Sequence, residues 1–515
     1  MILVLAKFSF VMIFGYYVIT ALQWFSYKIN RVIFHYTKPM WHIYFIILPL
    51  ILISVFDSII YQISITILYL IATIFWAYKL DKRVVITARV KRFFAFLVVG
   101  FGLFSFCPYS GIWLFHTLFS LVFALVFSAI SEKIIAIWYK NQALTKLKSM
   151  PKLKIILVTA SCGKTSIKNF IYDIASGELK THKTPRSVNT LLGIIRDIND
   201  NLRSDCELYI VEAGARLRGD IDEIAKFINP QIVVIGQIGG AHLEYFGSID
   251  EIRAAKLEAL NSNKLQNIIA HSSTNLASQA IIYDELVSGV KSTLDGLWFD
   301  MSLDGVKRHF KANLLGEFNS YNLAAAILAA RAAGVKNINL DSVKSVEHRL
   351  QKIEAGGKVI IDDSFNGNLN GMISSYKLVS EFNGRKILLT PGIVEGGDGV
   401  NSELSKVIND IFDIVVITSA LNESELKRYL NKPEVFVLVD KAKMNEFLAP
   451  KKSIIDLYHD KGVITLRKDF DISSSKTNST QESVSKYVKK KISENDIEGK
   501  LSRILNDRLA HNNML

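Results

Sequence analysis

The chain has 515 residues, enough for three or four domains of roughly 100 to 200 residues each, which excludes a single small binding module. Half of the residues are hydrophobic, only 21% are charged and the mean hydropathy is +0.25, too apolar for a disordered chain and unusually apolar for a wholly soluble one. Residues 1–154 hold 16 Lys and Arg against the three acids Asp57, Asp81 and Glu132, so the whole net charge of +13 sits there; a basic excess inside so apolar a segment fits membrane orientation rather than nucleic-acid binding.

Stretches without Lys or Arg run over residues 8–27, 39–78 and 93–131. A bilayer-spanning helix takes about 20 apolar residues. The first stretch makes one span and the other two, broken at Asp57 and at the "CPYSG" turn of residues 107–111, make two each, five in all. The basic segments Lys28 to Lys38, Lys79 to Arg92 and Lys133 to Lys154 then share one side, the cytoplasm, with the N-terminus outside and everything after residue 140 inside. No small-residue cleavage site follows the first span, which argues against a cleaved signal peptide. Trp24, Trp41 and Tyr61 read as interfacial anchors or packing. The expected division is a membrane-embedded helical region at 1–135, a basic linker at 136–150, two α/β domains at 151–344 and 345–470, and a polar, Lys-rich flexible tail at 471–515. Cys107, Cys162 and Cys206 have no CxxC spacing and offer neither a zinc site nor a disulfide framework, so the soluble part reads as cytosolic.

From Lys154 the pattern changes. "KIILVTA" is a short apolar strand, "SCGKT" a loop, and "SIKNFIYDIAS" a helix with Ile167, Phe170, Ile171 and Ile174 on one face. Further strands are expected in "LYIVEAG" from Leu208, "QIVVIGQIG" from Gln231 and "NIIAHS" from Asn267, separated by helical stretches, which implies a mostly parallel sheet. An Ala-rich helix ends at Gly334, and "KVIIDDS", "RKILLTPGI", "DIVVITSA" and "EVFVLVD" begin a second, Rossmann-like alternation.

The segment "TASCGKTS" follows a strand and opens a helix, the context of a phosphate-binding loop. In that role the backbone N–H groups of Ser161, Cys162, Gly163 and Ser166 and the helix N-terminus receive phosphates, Lys164 reaches their outer oxygens and the Thr165 hydroxyl ligates Mg²⁺. Val158 stands where the general pattern has its first Gly, and a chance Gly-Lys-Thr at a helix start is the alternative. Glu212 at a strand end suits a Mg²⁺ ligand or a solvated loop acid. His242 between "GGA" and "LEYFGS" reads alone as a turn or cap residue, Lys256 as a surface helix residue paired with Asp250 or Glu251, Asn322 as a plain helix N-terminal residue and Arg349 as a surface base.

The order of these segments resembles the Mur ligases, ATP-dependent amide-bond ligases of peptidoglycan synthesis. "TASCGKT" is similar to that family's TGTxGKT loop with Ala160 in place of a Gly. "TPRSVNTLLGI" resembles its substrate loop, "IVEAGARLRGDIDEIAKFINPQIVVIGQIGGAHLEYFGSIDEIRAAKLEAL" its central segment, "GEFNSYNLAAAILAA" its adenine-side helix and "HRLQKIEAGGKVIIDDSFNGNL" the start of its C-terminal domain, together covering roughly residues 150–395. The resemblance implies an ATP-binding central domain and a C-terminal α/β domain. It places Asn189 and Thr190 at the substrate, Asn319 and Asn322 near adenine, and Arg349 and Asp363 at phosphate and ribose. It further gives Glu212 and Thr165 one Mg²⁺, and His242 and a carbamylated Lys256 a second. Within the family the segments look most like members that join D-alanyl-D-alanine to a UDP-sugar tripeptide, which implies ATP, two Mg²⁺ ions, those two substrates and contact with other cell-wall enzymes, while the apolar, basic first third adds a lipid bilayer as partner, no nucleic acid and a multi-pass place in the bacterial inner membrane. Phe365, Gly367 and Leu369 depart from that member's pattern, the late KGSR-like motif is reduced to "TLRKDFD", and the membrane region replaces the domain that grips the UDP-sugar. A membrane-anchored ligase building poly-γ-glutamate is the alternative within the superfamily. An ATP-driven transporter is the alternative outside it, disfavoured because Asp57 is the only acid inside the apolar stretches.

Overall fold

The computed structural model describes residues 2–438 apart from 26, 28–31, 34–38, 56–57, 81–82, 107–112, 241–245, 277, 356–357, 365–366, 368 and 394–398. Asp57, the 107–111 turn, His242, "TLRKDFD" and the 471–515 tail therefore lie outside the described residues. The chain divides into two compact units, Met1–Gln142 and Ala143–Leu515.

The first unit is helical. Helices run over Ile2–Trp24, Met40–Val55, Ile59–Tyr78 and Ala88–Phe104, and a last one over Trp113–Lys148. Three of these, Ile2–Trp24, Ile59–Tyr78 and Trp113–Lys148, are long and apolar enough to cross a membrane by length and composition. The sequence leads one to expect five crossings; Met40–Val55 and the 17-residue Ala88–Phe104 are shorter than that standard. Phe10, Phe14, Tyr17, Ile53, Phe93, Leu97 and Ala124 form the interior. Three hydroxyls there bond back to their own helices: Thr20 donates to Tyr16 O (2.6 Å), Thr66 to Gln62 O (2.8 Å) and Ser120 to His116 O (2.6 Å). Trp24, Trp41 and Trp76 pack edge to face, with ring centroids 5.8 and 5.5 Å apart along the series. Residues 136–148, expected as linker, continue the last helix.

The second unit is built on a six-stranded sheet in the order β2-β3-β1-β4-β5-β6, where β1 is Lys154–Thr159, β2 Thr181–Lys183, β3 Leu208–Glu212, β4 Ile232–Ile235, β5 Asn267–Ala270 and β6 Ile281–Ile282. Every pairing in it is parallel. A parallel sheet is covered on both faces, and its strands are apolar on both. Ile156, Val158, Ile210 and Val234 face the helices Lys164–Ala175 and Phe318–Ala333, while Leu157, Tyr209, Val211 and Val233 face Leu191–Asp200, Asp220–Ile228 and Ile249–Leu257. Ile167, Phe170, Ile171 and Ile174 are all buried, each contributing about 1.5–3 kcal/mol of apolar transfer.

An antiparallel meander, β7 Val287–Thr293, β8 Gly296–Leu303 and β9 Val306–Ala312, adds Leu297, Phe299, Met301 and Leu303 to the first of these cores. Beyond Gly334, "KVIIDDS" is not a strand of a parallel sheet: it pairs antiparallel as β11 (Lys358–Asp362) with β10 (Gln351–Ala355). The parallel alternation begins at β12 Ile387–Thr390 and continues through β13 Ile414–Ile417 and β14 Glu434–Val437, with the helix Val400–Ile411 between the first two.

Candidate active site

β1 delivers the loop 160–163 to the N-terminus of the helix Lys164–Ala175. Gly163 caps that helix at φ +84°, and a Cβ there would stand 2.5 Å from Asn322 Oδ1, so the loop sits directly against the helix Phe318–Ala333. The Ala160 methyl, at the position where the resembling loop has Gly, is accommodated by Gly236: a Cβ on Gly236 would meet it at 2.8 Å. Ser161 ties the loop to the chain after β4, its N–H donating to Gln237 O (2.9 Å) and its hydroxyl to Gly239 O (3.0 Å). Lys164 folds back on its own loop, Nζ donating to Ala160 O (2.7 Å) and Ser161 O (3.1 Å). Burial pushes its ammonium below the ordinary lysine value, against the pull of Glu212. Cys162 is exposed and Ser166 buried.

Glu212 ends β3 beside this loop, 1% exposed. Its Oε2 accepts from the Thr165 hydroxyl (3.0 Å) and forms an ion pair with Lys168 (3.0 Å). Arg349 Nη2 donates to Thr165 Oγ1 from the other side (3.2 Å). The solvated-acid reading of Glu212 and the surface reading of Arg349 both fail on these contacts. Oxygen donors of a hydroxyl and a carboxylate at this spacing fit Mg²⁺, which takes hard oxygens and keeps waters and phosphate oxygens for its remaining positions. Among the described residues no cluster of three His, Cys, Asp or Glu side chains stands ready for a metal.

Lys256 is buried at 3% exposure. Asp250 is taken by Arg253, and Glu251 by Arg218 (3.4 Å), so the surface-pair reading of Lys256 does not hold. Burial, with the nearby charge of Lys164, holds its ammonium down at about 7. His242 is outside the described residues.

Asn322 Nδ2 donates to Asn319 Oδ1 (3.0 Å), and Asn319 Nδ2 to Leu315 O (2.7 Å), which fixes both amides under the phosphate loop. Asn189 lies on the far side of β3, its carbonyl accepting the Gly214 N–H (2.8 Å). Thr190 caps the helix Leu191–Asp200 through the Gly193 N–H (3.4 Å). Asp363 accepts from Ser375 Oγ (3.0 Å) and Leu350 N–H (3.1 Å), and burial raises its carboxyl. Direct contacts therefore unite Thr165, Glu212 and Arg349 and set Asn322 against Gly163, whereas Asn189, Thr190 and Asp363 stand at the margins. Lys168 and Thr184, whose hydroxyl accepts the Glu212 N–H (3.2 Å), are the functional neighbours that the sequence reading missed. A Lys four residues after Lys164 and next to Ile167 in the buried stripe was the available signal for the first of them.

Residues 158–330 match the Mur ligase middle domain. The UDP-N-acetylmuramoyl-tripeptide–D-alanyl-D-alanine ligase of Buchnera aphidicola subsp. Acyrthosiphon pisum is 27% identical over 342 residues, 60% of this chain and 74% of that protein. The ligase of the same name from Bacillus subtilis is 26% identical over 284 residues, 50% of this chain and 62% of its own length. Among solved structures, MurF of Acinetobacter baumannii is similar with a TM-score of 0.57 at 23% identity, covering 64% of this chain and 76% of its own. MurF of Thermotoga maritima in complex with ADP gives 0.52 at 21% identity, covering 62% and 78%. At these identities the two structures speak to the fold alone.

Proposed function

We propose that this chain, a Mur ligase by its middle domain and by the order of its motifs, is an ATP-dependent ligase that joins D-alanyl-D-alanine to UDP-N-acetylmuramoyl-tripeptide. The observation that supports the chemistry best is the convergence of Lys164, Thr165, Glu212 and Arg349 on one loop at a helix N-terminus. The curated relatives carry that activity in their names.

The acceptor's terminal carboxylate attacks the γ-phosphorus of ATP, forming an acyl phosphate and releasing ADP; the dipeptide amine then attacks the acyl carbon and phosphate leaves. Phosphoryl transfer asks the protein for positioning and for charge stabilisation. The loop N–H groups and the helix N-terminus hold the phosphates, Lys164 turns from its own loop carbonyls to their oxygens, and Arg349 approaches from the chain that follows the Ala-rich helix. Thr165 and Glu212 would hold Mg²⁺, which when bound offsets the charge of the transferring group. Asn319 and Asn322 sit on the adenine side, Asp363 at the ribose, and Asn189 with Thr190 at the acceptor. Lys256, carbamylated, and His242 would hold a second ion. The first unit lies in the inner membrane with five crossings, its basic segments and the ligase half on the cytoplasmic side. The nucleotide-sugar is then gripped through the residues around Asn189.

The test supplies the purified protein with Mg²⁺, ATP and the nucleotide-tripeptide, and compares D-alanyl-D-alanine with L-glutamate as the amine. Phosphate release with a pentapeptide product, only in the presence of the dipeptide, supports the reading. Glutamate chains would assign the protein to polymer synthesis instead.

A further inference from the structure

The helix that opens at the phosphate loop buries one cation completely. Lys168 is 0% exposed, and a Lys is left in such a place only when its ammonium is fully engaged. Its Nζ has two acceptors from different parts of the unit: the carboxylate of Glu212, in an ion pair at 3.0 Å, and the carbonyl of Arg186. Glu212 belongs to the nucleotide side, where it also accepts from Thr165. Arg186 belongs to the loop 184–190, which leads to Asn189 and to the helix cap Thr190.

That loop is held at few points. Thr184 N–H donates to Ile210 O (3.0 Å), Thr184 Oγ1 accepts the Glu212 N–H (3.2 Å), and Asn189 O accepts the Gly214 N–H (2.8 Å). Between these anchors Pro185, Arg186 and Ser187 are exposed, and Arg186 takes a left-handed backbone at φ +46°, a conformation that a residue with a Cβ adopts only when its surroundings impose it. A turn closed by the Val188 N–H to Pro185 O (3.0 Å) spans Arg186, and the bond from Lys168 to the Arg186 carbonyl is what ties that turn to the phosphate-loop helix. Because one ammonium serves both acceptors, a displacement of Glu212 is felt at Arg186.

We propose that Lys168 is a positioning residue that sets the acceptor-side loop 184–190 in register with the phosphate-loop carboxylate Glu212. The inference rests on the ligase reading for its consequence in catalysis, namely that the acceptor carboxylate meets the transferring phosphate correctly aligned. It rests on geometry alone for its consequence in the loop.

The experiment compares the full-length protein in detergent with Lys168→Met and Lys168→Arg. Two quantities are read: amide hydrogen exchange, and KM for ATP and for UDP-N-acetylmuramoyl-tripeptide separately. In Lys168→Met the amides of 184–190 exchange roughly tenfold faster or more while those of β1 and β4 are unchanged, and KM for the tripeptide rises roughly tenfold with KM for ATP within about threefold. Lys168→Arg, which keeps a donor to both acceptors, recovers part of each loss. Since Lys168→Met leaves a buried carboxylate alone, the double variant Lys168→Met/Glu212→Gln removes that charge and is read by exchange only; its loop remains fast. Unchanged exchange at 184–190 in both Met variants, or an equal rise of KM for the two substrates, overturns the proposal. Absence of joining activity in the wild-type protein would instead overturn the ligase reading, and the exchange data would still decide what Lys168 does to the loop.

Discussion

Gly163 and Asn322 are so close that a single added carbon would collide: a Cβ at Gly163 would lie 2.5 Å from Asn322 Oδ1. The loop 160–163 and the helix Phe318–Ala333 are thus packed backbone against side chain, an arrangement that needs glycine twice over, for space and for φ +84°.

Gly163→Ala is therefore expected to destabilise the protein by about 1–3 kcal/mol and to weaken ATP binding, because both the turn and the loop N–H groups are displaced. Adding Asn322→Ala to it relieves the collision but not the backbone strain, so thermal stability recovers only in part. Full recovery in the double variant would show that space alone is at stake.

Among the described residues, Lys164 makes its hydrogen bonds to its own loop, to Ala160 O and Ser161 O. Lys164→Ala should accordingly leave thermal stability within about 1 kcal/mol of wild type while lowering turnover by roughly a thousandfold, the scale seen when one stabilising group is removed from a transition state. Single-turnover phosphate release together with a melting curve checks both halves. Activity within a few-fold of wild type would remove Lys164 from the phosphate site.

Much of this was written in local pattern. The apolar run of β1, the loop after it and the stripe Ile167, Phe170, Ile171, Ile174 gave the first β-loop-α unit directly, since strand and helix differ in period and a loop with Gly-Lys-Thr separates them. The meander from Val287 to Ala312 was missed although its turns are marked: Asp304 and Gly305 take φ +53° and +76° between β8 and β9, the two-residue hairpin signal. The antiparallel partner of β11 could not be read, because which strand a short apolar run pairs with, and in what direction, is set by tertiary context and not by its own composition. Lys168 and Glu212 are 44 positions apart, and nothing in either neighbourhood announces a pair that only the parallel pairing of β1 with β3 creates. Lys256 looked like a surface residue because a Lys on a helix usually is one; its burial is a property of the tertiary packing.

That burial gives a stability signature for Lys256. Its folded value of about 7 lies below the ordinary 10.5, so between those two pH values the unfolded chain binds more protons than the folded one, and stability rises with pH across that window. Below about pH 7 the buried ammonium carries its full cost, on the order of 5 kcal/mol at most. In bicarbonate-free buffer, Lys256→Met is expected to be the more stable protein at pH 6, with an advantage that shrinks steadily toward pH 10. Thermal melts of both proteins at several pH values measure this, and a constant difference would mean that Lys256 titrates as a solvated lysine. The same variant should be nearly inactive, and small carboxylic acids should partly restore Lys256→Ala by supplying the missing anion.

The last turns of the long helix Trp113–Lys148 give a prediction for the ligase half itself. Ala143 is fully buried, and Leu144, Leu147, Met150 and Leu153 pack in the same core as Ile194, Ile195 and Ile198. Lys146 goes further: its Nζ donates to Ile198 O (2.7 Å) and Asn199 O (3.1 Å), carbonyls in the last turn of the helix Leu191–Asp200, where the helix dipole is negative and no intrahelical donor remains. The opposite end of that helix is capped by Thr190, beside Asn189. Lys146→Ala removes a charged cap that is only partly shielded from solvent, so a loss of about 0.5–1 kcal/mol is expected, together with a fall of roughly 1–4 °C in the melting temperature of the ligase half. Lys146→Arg should keep most of the cap. Ala143→Leu, which forces three carbons into a filled site, should cost more, about 1–3 kcal/mol. Salt separates the two causes: 1 M KCl narrows the deficit of Lys146→Ala, because its bond is electrostatic, and leaves that of Ala143→Leu unchanged. A Lys146→Ala protein that melts with the wild type at low salt would show that residues 143–148 hold to the ligase core by apolar packing alone.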